Sequence, residues 1–268
     1  MKILIKAGIE EIEAKREVKM LLEHFCNYTE KDGLLGKEIS SDLFQILQEK
    51  VLLRAQTRMP IQHIIGQAWF MGEFFKVTPD VLIPRDETEI LVRKAIELID
   101  QNGFEDVLDI GTGSGCIACT IAKNTNATVL GVDISSDALR IALDNVTKLN
   151  INNRAIFRKS DLFNKIRDGE VFDIIISNPP YIPHGTELSK EVQHEPNLAL
   201  FADENGLEFY KKIVQQAPNY LADNGYLMFE LGIEEAKDVK SMMEALFTDI
   251  EIEKDLAGID RIIYGKKK

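Results

Sequence analysis

Apolar positions in the first part of the chain recur every three or four residues. Leu21, Leu22 and Phe25 are followed by Leu43, Phe44, Ile46 and Leu47, then by Val51, Leu52 and Leu53. That spacing predicts amphipathic helices. Asp32-Gly33 and Gly36 punctuate the pattern, and Ser40 or Ser41 is placed to cap the helix that follows. Residues 1–60 are therefore expected to form a small helical domain with mixed surface charge and no catalytic constellation. Met59-Pro60 ends it. Residues 61–86 change character. Trp69-Phe70-Met71-Gly72-Glu73-Phe74-Phe75 is aromatic with a glycine at its turn, and Val77 to Ile83 reads as a second strand ending in Pro84-Arg85. The expectation is a β-hairpin linking two domains.

From residue 87 to 268 short apolar runs alternate with helical patterns. Helices are expected over 87–101, 115–123, 136–149, 206–221 and 233–246. Strands are expected over 107–110, 127–132, 155–158, 171–177, 226–231, 248–254 and 259–264. Alternation of this kind predicts an α/β domain whose parallel sheet carries helices on both faces, with the last two strands as an antiparallel edge hairpin. In open α/β sheets ligands bind beyond the carboxyl ends of the strands. Those ends therefore hold the candidate chemistry.

The run Phe172-Asp173-Ile174-Ile175-Ile176 reads as a buried strand, and Ser177-Asn178-Pro179-Pro180-Tyr181 follows it. Two prolines can neither extend a sheet ladder nor begin a regular helix turn without cost. The proline after Asn178 holds that residue in an extended conformation. A polar amide, stiff carbonyls and an aromatic ring are thus displayed at a strand end. The loop beyond, to about residue 204, is longer than ordinary connections and marks function. His184 and His194 lie on it.

A second strand end carries Asp109-Ile110-Gly111-Thr112-Gly113-Ser114-Gly115. Its glycines permit a tight turn and close backbone approach to a ligand. The sixth position from Gly111 is Cys116, so the dinucleotide fingerprint fails, and no Walker lysine follows. Asp133 ends the next strand, where a carboxylate can accept both hydroxyls of a ribose. Asp161, after the third strand, is placed to accept from an adenine amino group, and Leu162 to pack on the ring.

Composition narrows the field. The chain has 268 residues and a net charge of −12, which argues against a protein that works by gripping duplex nucleic acid. No apolar run is long enough for a membrane span, and no signal peptide is visible, so a cytoplasmic protein is expected. Cys26, Cys116 and Cys119 are too few for a disulfide scaffold. Cys116 and Cys119 lie in an apolar helical pattern with no second pair to complete a zinc site, so no metal is expected.

Taken together, the glycine loop, Asp133, Asp161 and Asn178-Pro179-Pro180-Tyr181 resemble an S-adenosylmethionine-dependent methyltransferase acting on a planar amide or amino nitrogen. Both N6-adenine DNA methyltransferases and protein glutamine N5-methyltransferases share the set. More of the chain is similar to the second group. Pro84-Arg85-Asp86-Glu87-Thr88-Glu89 resembles the PRPETE signature of the release-factor glutamine N5-methyltransferases, of the HemK/PrmC type, with Asp86 in place of the usual proline. Glu195-Pro196, Ala199-Leu200-Phe201, Gly206-Leu207 and Leu256-Ala257-Gly258 extend the likeness to nearly the whole chain. The segment Glu87-Thr88-Glu89 favours this group over the sibling enzymes that methylate a ribosomal-protein glutamine.

The resemblance implies a Rossmann-like seven-stranded methyltransferase sheet. It also implies S-adenosyl-L-methionine as cofactor, held by Gly111, Thr112, Gly113, Gly115, Asp133, Asp161, Leu162 and Asn178. The substrate would be the glutamine of the Gly-Gly-Gln motif in class-1 peptide chain release factors, gripped partly by the N-terminal helical domain. No direct nucleic-acid binding is expected. Asn178, Pro179 and Tyr181 would act on the amide: the Asn178 oxygen and the Pro179 carbonyl accept its protons, while Tyr181 stacks on its plane beside Pro180. Phe70 and Phe75 resemble hairpin aromatics that flank the cofactor. The rival readings are an adenine methyltransferase, which would have to flip a base, and a non-catalytic binding module that kept the fold.

Overall fold

The helical spacing at the start of the chain resolves into five helices in the computed structural model, which describes residues 1–268. They are α1 (Lys2–Lys6), α2 (Glu11–Cys26), α3 (Glu30–Leu34), α4 (Ser41–Thr57) and α5 (Ile61–Ile65). Ser40 caps α4 by accepting from the Leu43 N–H, and Thr29 with Asp32 forms a capping box on α3. Leu4, Leu21, Leu47, Val51 and Ile61 make their shared core. Into this core is set Arg54, 1% exposed, which donates to both carboxylate oxygens of buried Glu17 and to Glu191. Residues 188–194 belong to this first unit together with Met1–Gln67; the second unit comprises Ala68–Glu187 and Glu195–Lys268.

The hairpin is shorter than expected. Its strands are β1 (Gln67–Phe70) and β2 (Glu73–Lys76), joined at Met71 and Gly72, both at positive φ. That tight two-residue turn starts the second strand at once. Residues 77–83, expected as a strand, pair with nothing in a sheet. Pro79 interrupts them, and Val77, Val81 and Ile83 are instead buried against Ala138 and Ile141. Phe70 and Phe75 meet edge to face, 6.0 Å between centroids, inside the core.

The rest alternates as expected: α6 (Thr88–Asn102), β3 (Asp106–Ile110), α7 (Cys116–Asn124), β4 (Thr128–Asp133), α8 (Ser136–Lys148), β5 (Ala155–Lys159) and β6 (Phe172–Ser177). Two-residue strands β7 (Ile182–Pro183) and β8 (Phe201–Ala202) pair within the long loop. Then come α9 (Glu208–Gln216), β9 (Leu221–Glu230), α10 (Ala236–Met243), β10 (Phe247–Lys254) and β11 (Asp260–Lys267). α9 stops short of the expected 221 because Pro218 cannot continue it.

Seven strands form one sheet in the order β10-β11-β9-β6-β3-β4-β5. The five from β9 to β5 run parallel, and β11 is antiparallel to both β9 and β10. Alternate residues of each buried strand feed opposite cores. Val107, Val129 and Ile174 pack beneath Leu91 of α6 and Ile117 of α7, while Leu108, Leu130 and Ile175 pack against Ile213 of α9 and Val239 of α10. This is the Rossmann-like seven-stranded sheet, with helices on both faces, expected from the sequence. No helix is long and apolar enough to cross a membrane.

Candidate active site

Register decides what the strand ends bring together. Ile110 pairs with Ser177 across β3 and β6, and with Val132 across β3 and β4, while Asp133 pairs with Lys159 across β4 and β5. β6 and β3 therefore end level, and β4 and β5 run one residue further. Their next residues are Asn178, Gly111, Ile134 and Ser160, side by side along one edge. The Ser177 hydroxyl donates to the Ile110 carbonyl at 2.7 Å, tying the two central strand ends together.

These ends border a cavity of about 320 Å³. Gly111, Gly113, Asp133, Asp161, Leu162, Asn178, Pro179 and Pro180 line it, with Ile134, Ala138 and Ile213 among its apolar wall. Gly111, Gly113 and Gly115 have φ of +74°, +54° and +77°. A side chain at Gly111 would meet nothing of the protein within 4 Å, so the loop backbone is bare toward the cavity. Gly115 serves packing instead: a Cβ there would lie 3.0 Å from both Ala142 Cβ and Phe157 Cζ. Thr112 also faces away from the cavity, its hydroxyl donating to Asp109 Oδ2 at 2.6 Å. Asp109 is fully buried, with Oδ1 unpartnered, and burial pushes its carboxyl up to about 7 against the pull of Thr112.

Asp133 does more than end a strand. Its Oδ2 accepts from Gly113 N at 2.9 Å and its Oδ1 from Ser135 N at 2.8 Å. Burial raises its carboxyl, and these N–H groups oppose the rise. Each oxygen keeps a lone pair for a ligand hydroxyl. The carboxylate therefore shapes the glycine loop and offers acceptors to the cavity at once. Leu162 sits at φ +46°, a left-handed conformation costly for leucine, with its carbonyl accepting from the Ser160 hydroxyl at 2.7 Å. Asp161 is exposed on the cavity rim.

On the other side of the glycine loop, Asn178 Nδ2 donates to Thr88 Oγ1 at 3.3 Å, and Thr88 Oγ1 donates to Glu230 Oε2 at 2.6 Å. Tyr181 is half-buried beside the cavity, its hydroxyl 3.5 Å from Glu230 Oε1. Burial raises the tyrosine, and pushes the Glu230 carboxyl up to about 7. Glu195 fixes the far rim: Oε2 accepts from Ile83 N at 3.0 Å and Oε1 pairs with Arg85 at 2.5 Å. Phe70 and Phe75 lie in the core and do not line the cavity. His184 stacks on Phe201 outside it, and His194 bonds the Thr57 carbonyl. Sequence reasoning missed Glu230 and the cavity-lining Phe209 and Lys212, and it quoted Glu195 only as part of a likeness, with no place in the site. Only the lone carboxylate ending Leu227-Met228-Phe229-Glu230 carried a signal.

A family model for the methyltransferase domain matches residues 86–262. The release factor glutamine methyltransferase of Fusobacterium nucleatum is 40% identical over 238 residues, 87% of this chain and 67% of that protein. That of Flavobacterium psychrophilum is 39% identical over 264 residues, 95% of this chain and 92% of the other. The chain belongs to the release factor glutamine methyltransferase family. The fold of this methyltransferase is also that of a Pyrococcus furiosus methyltransferase crystal structure: TM-score 0.56, 19% identity, 85% of this chain and 99% of that one. In this family member Gly111, Gly113, Asp133, Asp161, Leu162, Asn178, Pro179 and Pro180 border one cavity, while Thr112, Gly115 and Tyr181 do not line it.

Proposed function

We propose that the chain transfers a methyl group from S-adenosyl-L-methionine to the side-chain amide nitrogen, N5, of the glutamine in the Gly-Gly-Gln motif of class-1 peptide chain release factors. The observation that carries this reading is the shared edge: Asp161, Asp133, the bare glycine loop and Asn178-Pro179-Pro180 all line one cavity. The residues fit a nucleoside-bearing cofactor. Asp133 offers acceptors to ribose hydroxyls, Ile134, Ala138 and Leu162 offer an apolar shelf to a base, and Gly111 leaves room for close approach. When bound, that cofactor supplies an electrophilic sulfonium methyl group.

The remaining work belongs to the chain. A glutamine amide nitrogen is a weak nucleophile because its lone pair is delocalised into the carbonyl. The Asn178 oxygen and the Pro179 carbonyl accept its two protons and turn the lone pair toward the methyl group. They also stabilise the positive charge that grows on nitrogen. Well-oriented placement can supply several kcal/mol, up to about 7–11, and aligned dipoles act most strongly in a site that excludes water. Proline suits the second position because it has no N–H to present. Tyr181 stacks on the amide plane. No base is needed before transfer, since the proton can leave afterwards.

The net charge of −12 favours a protein substrate over a nucleic acid, and the reading places the chain in the cytoplasm. Incubation with cofactor and a release factor, followed by mass spectrometry, should find one added methyl on the Gly-Gly-Gln glutamine. Methyl found instead on adenine of a parallel DNA sample would overturn the reading.

A further inference from the structure

An amide can present either of its ends, and methyl transfer as read above needs the oxygen of Asn178, not its NH₂. Thr88, the first residue of α6, and Glu230, the last of β9, stand behind it, 3% and 2% exposed. A threonine hydroxyl has one proton to give and lone pairs to accept with. When Glu230 is ionised, its Oε2 takes that proton through a 2.6 Å bond. What Thr88 shows to Asn178 is then an acceptor, and only the Nδ2 end of the amide satisfies it, at 3.3 Å. The Asn178 oxygen is left for the cavity that this residue lines. The other oxygen of the same carboxylate takes the Tyr181 hydroxyl at 3.5 Å. One buried carboxylate thus reaches both polar side chains of the motif.

We propose that Thr88 and Glu230 are positioning residues that set the polarity of the Asn178 amide, and so restrict the site to acceptors that bring protons, such as a carboxamide NH₂. The proposal rests on the reading of Asn178 as the acceptor for the substrate amide. It goes further in assigning the orientation to a one-way chain of hydrogen bonds that starts at a carboxylate. A hydrophobic pair at these positions would pack as well but would leave the amide free to reverse.

The test uses the full chain labelled with ¹⁵N on asparagine, the Asn178 side-chain signals being assigned by their loss in Asn178→Ala. In the wild type one Hδ2 proton should be protected from solvent exchange by Thr88. Thr88→Val should abolish that protection and lower the turnover of methyl transfer to an intact release factor by about 10- to 100-fold. Cofactor affinity by calorimetry should hold. Thr88→Ser, which keeps the hydroxyl, should restore both readouts. Glu230→Met is near in shape and frees the Thr88 proton to donate to Asn178, so it should lose the same protection and turnover. This second variant carries the test if Thr88→Val does not fold. Unchanged Asn178 exchange in Thr88→Val and Glu230→Met, or full turnover with protection lost, overturns the proposal. A protected Asn178 amide in a wild type that puts no methyl on the release factor would instead sink the substrate reading and leave the polarity device standing.

Discussion

Gly131, in the middle of β4, has no room for a side chain. A Cβ there would lie 2.6 and 2.7 Å from the Phe157 ring and 2.7 Å from Thr112 Oγ1, where ordinary contact begins at 3.4 Å. In Gly131→Ala both neighbours must retreat by most of an ångström. Phe157 is only half-buried and can swing. Thr112 cannot move without stretching its 2.6 Å bond to Asp109, whose other oxygen already has no partner. Overpacking costs about 1–3 kcal/mol, and an orphaned buried acceptor about 1–3 more. Alanine returns about 0.5–1 kcal/mol through reduced chain entropy. The net expectation is a loss of about 2–4 kcal/mol.

For a unit of this size each kcal/mol moves the melting point by about 2–4 °C, so Tm should fall by roughly 5–15 °C. The displaced Thr112 lies between Gly111 and Gly113, and cofactor binding should weaken at least about tenfold, the equivalent of 1.4 kcal/mol. Differential scanning calorimetry and titration calorimetry read the two effects. Gly103→Ala is the control: φ is +67° but nothing lies within 4 Å of its Cβ. It should cost only the backbone strain, about 1–2 kcal/mol, with cofactor affinity unchanged. If Gly131→Ala melted like the wild type and bound cofactor as tightly, the Thr112–Asp109 contact would not be what fixes the loop.

Asn178→Ala should lower methyl transfer at least about 100-fold at saturating cofactor, measured with labelled cofactor; near-normal turnover would remove Asn178 from the chemistry. Arg54→Ala should destabilise the protein by about 3–5 kcal/mol in urea titrations, because Glu17 is left as an uncompensated buried charge, and adding Glu17→Met should recover much of the loss. Stability should also fall as pH rises from 4.5 to about 7. Burial raises Glu230 from 4.5 to about 7, so the folded state holds that proton more tightly and loses the advantage as pH climbs through the window. Glu230→Gln should flatten the slope only in part, since Asp109 and Glu235 are shifted in the same sense; an identical slope in the variant would show that Glu230 does not titrate there.

The sheet was legible because its strands are short apolar runs separated by helices. Asp133 was legible as a carboxylate at the sheet edge because it ends the strand after the glycine loop. That it holds Gly113 N and Ser135 N was not, since backbone partners leave no mark on side-chain spacing. The stretch 77–83 misled for a definable reason. Val77, Val81 and Ile83 are apolar because they are buried against α8, and burial without pairing looks the same in sequence as a strand. Pro79 was the discriminating residue. The backing of Asn178 lay further out of reach: Thr88 is 90 residues from Asn178 and 142 from Glu230. Thr88 appeared only as part of a signature, and Glu230, inside the strand expected over 226–231, drew no notice.

Those two residues have a counterpart on the cofactor side. Asp109 and Glu230 are both buried carboxyls raised to about 7, and each is met by a threonine hydroxyl at 2.6 Å. Thr112 belongs to the glycine loop, and Thr88 holds Asn178. A buried carboxyl is costly, and an apolar side chain of similar volume often gives equal or greater stability. Packing alone therefore does not account for two of them within one sheet edge. What an ionised carboxylate adds is direction: it accepts and does not donate, so a hydroxyl it meets turns its lone pairs outward, and with both groups raised to about 7 this direction is held above that pH and weakens below it. Behind the glycine loop that direction ties Thr112 to β3, and behind Asn178, on the reading proposed above, it sets which end of the amide meets the substrate. On the proposed reading the same pairing separates the two jobs of the site, with Asp109 backing the glycine loop and Glu230 backing Asn178.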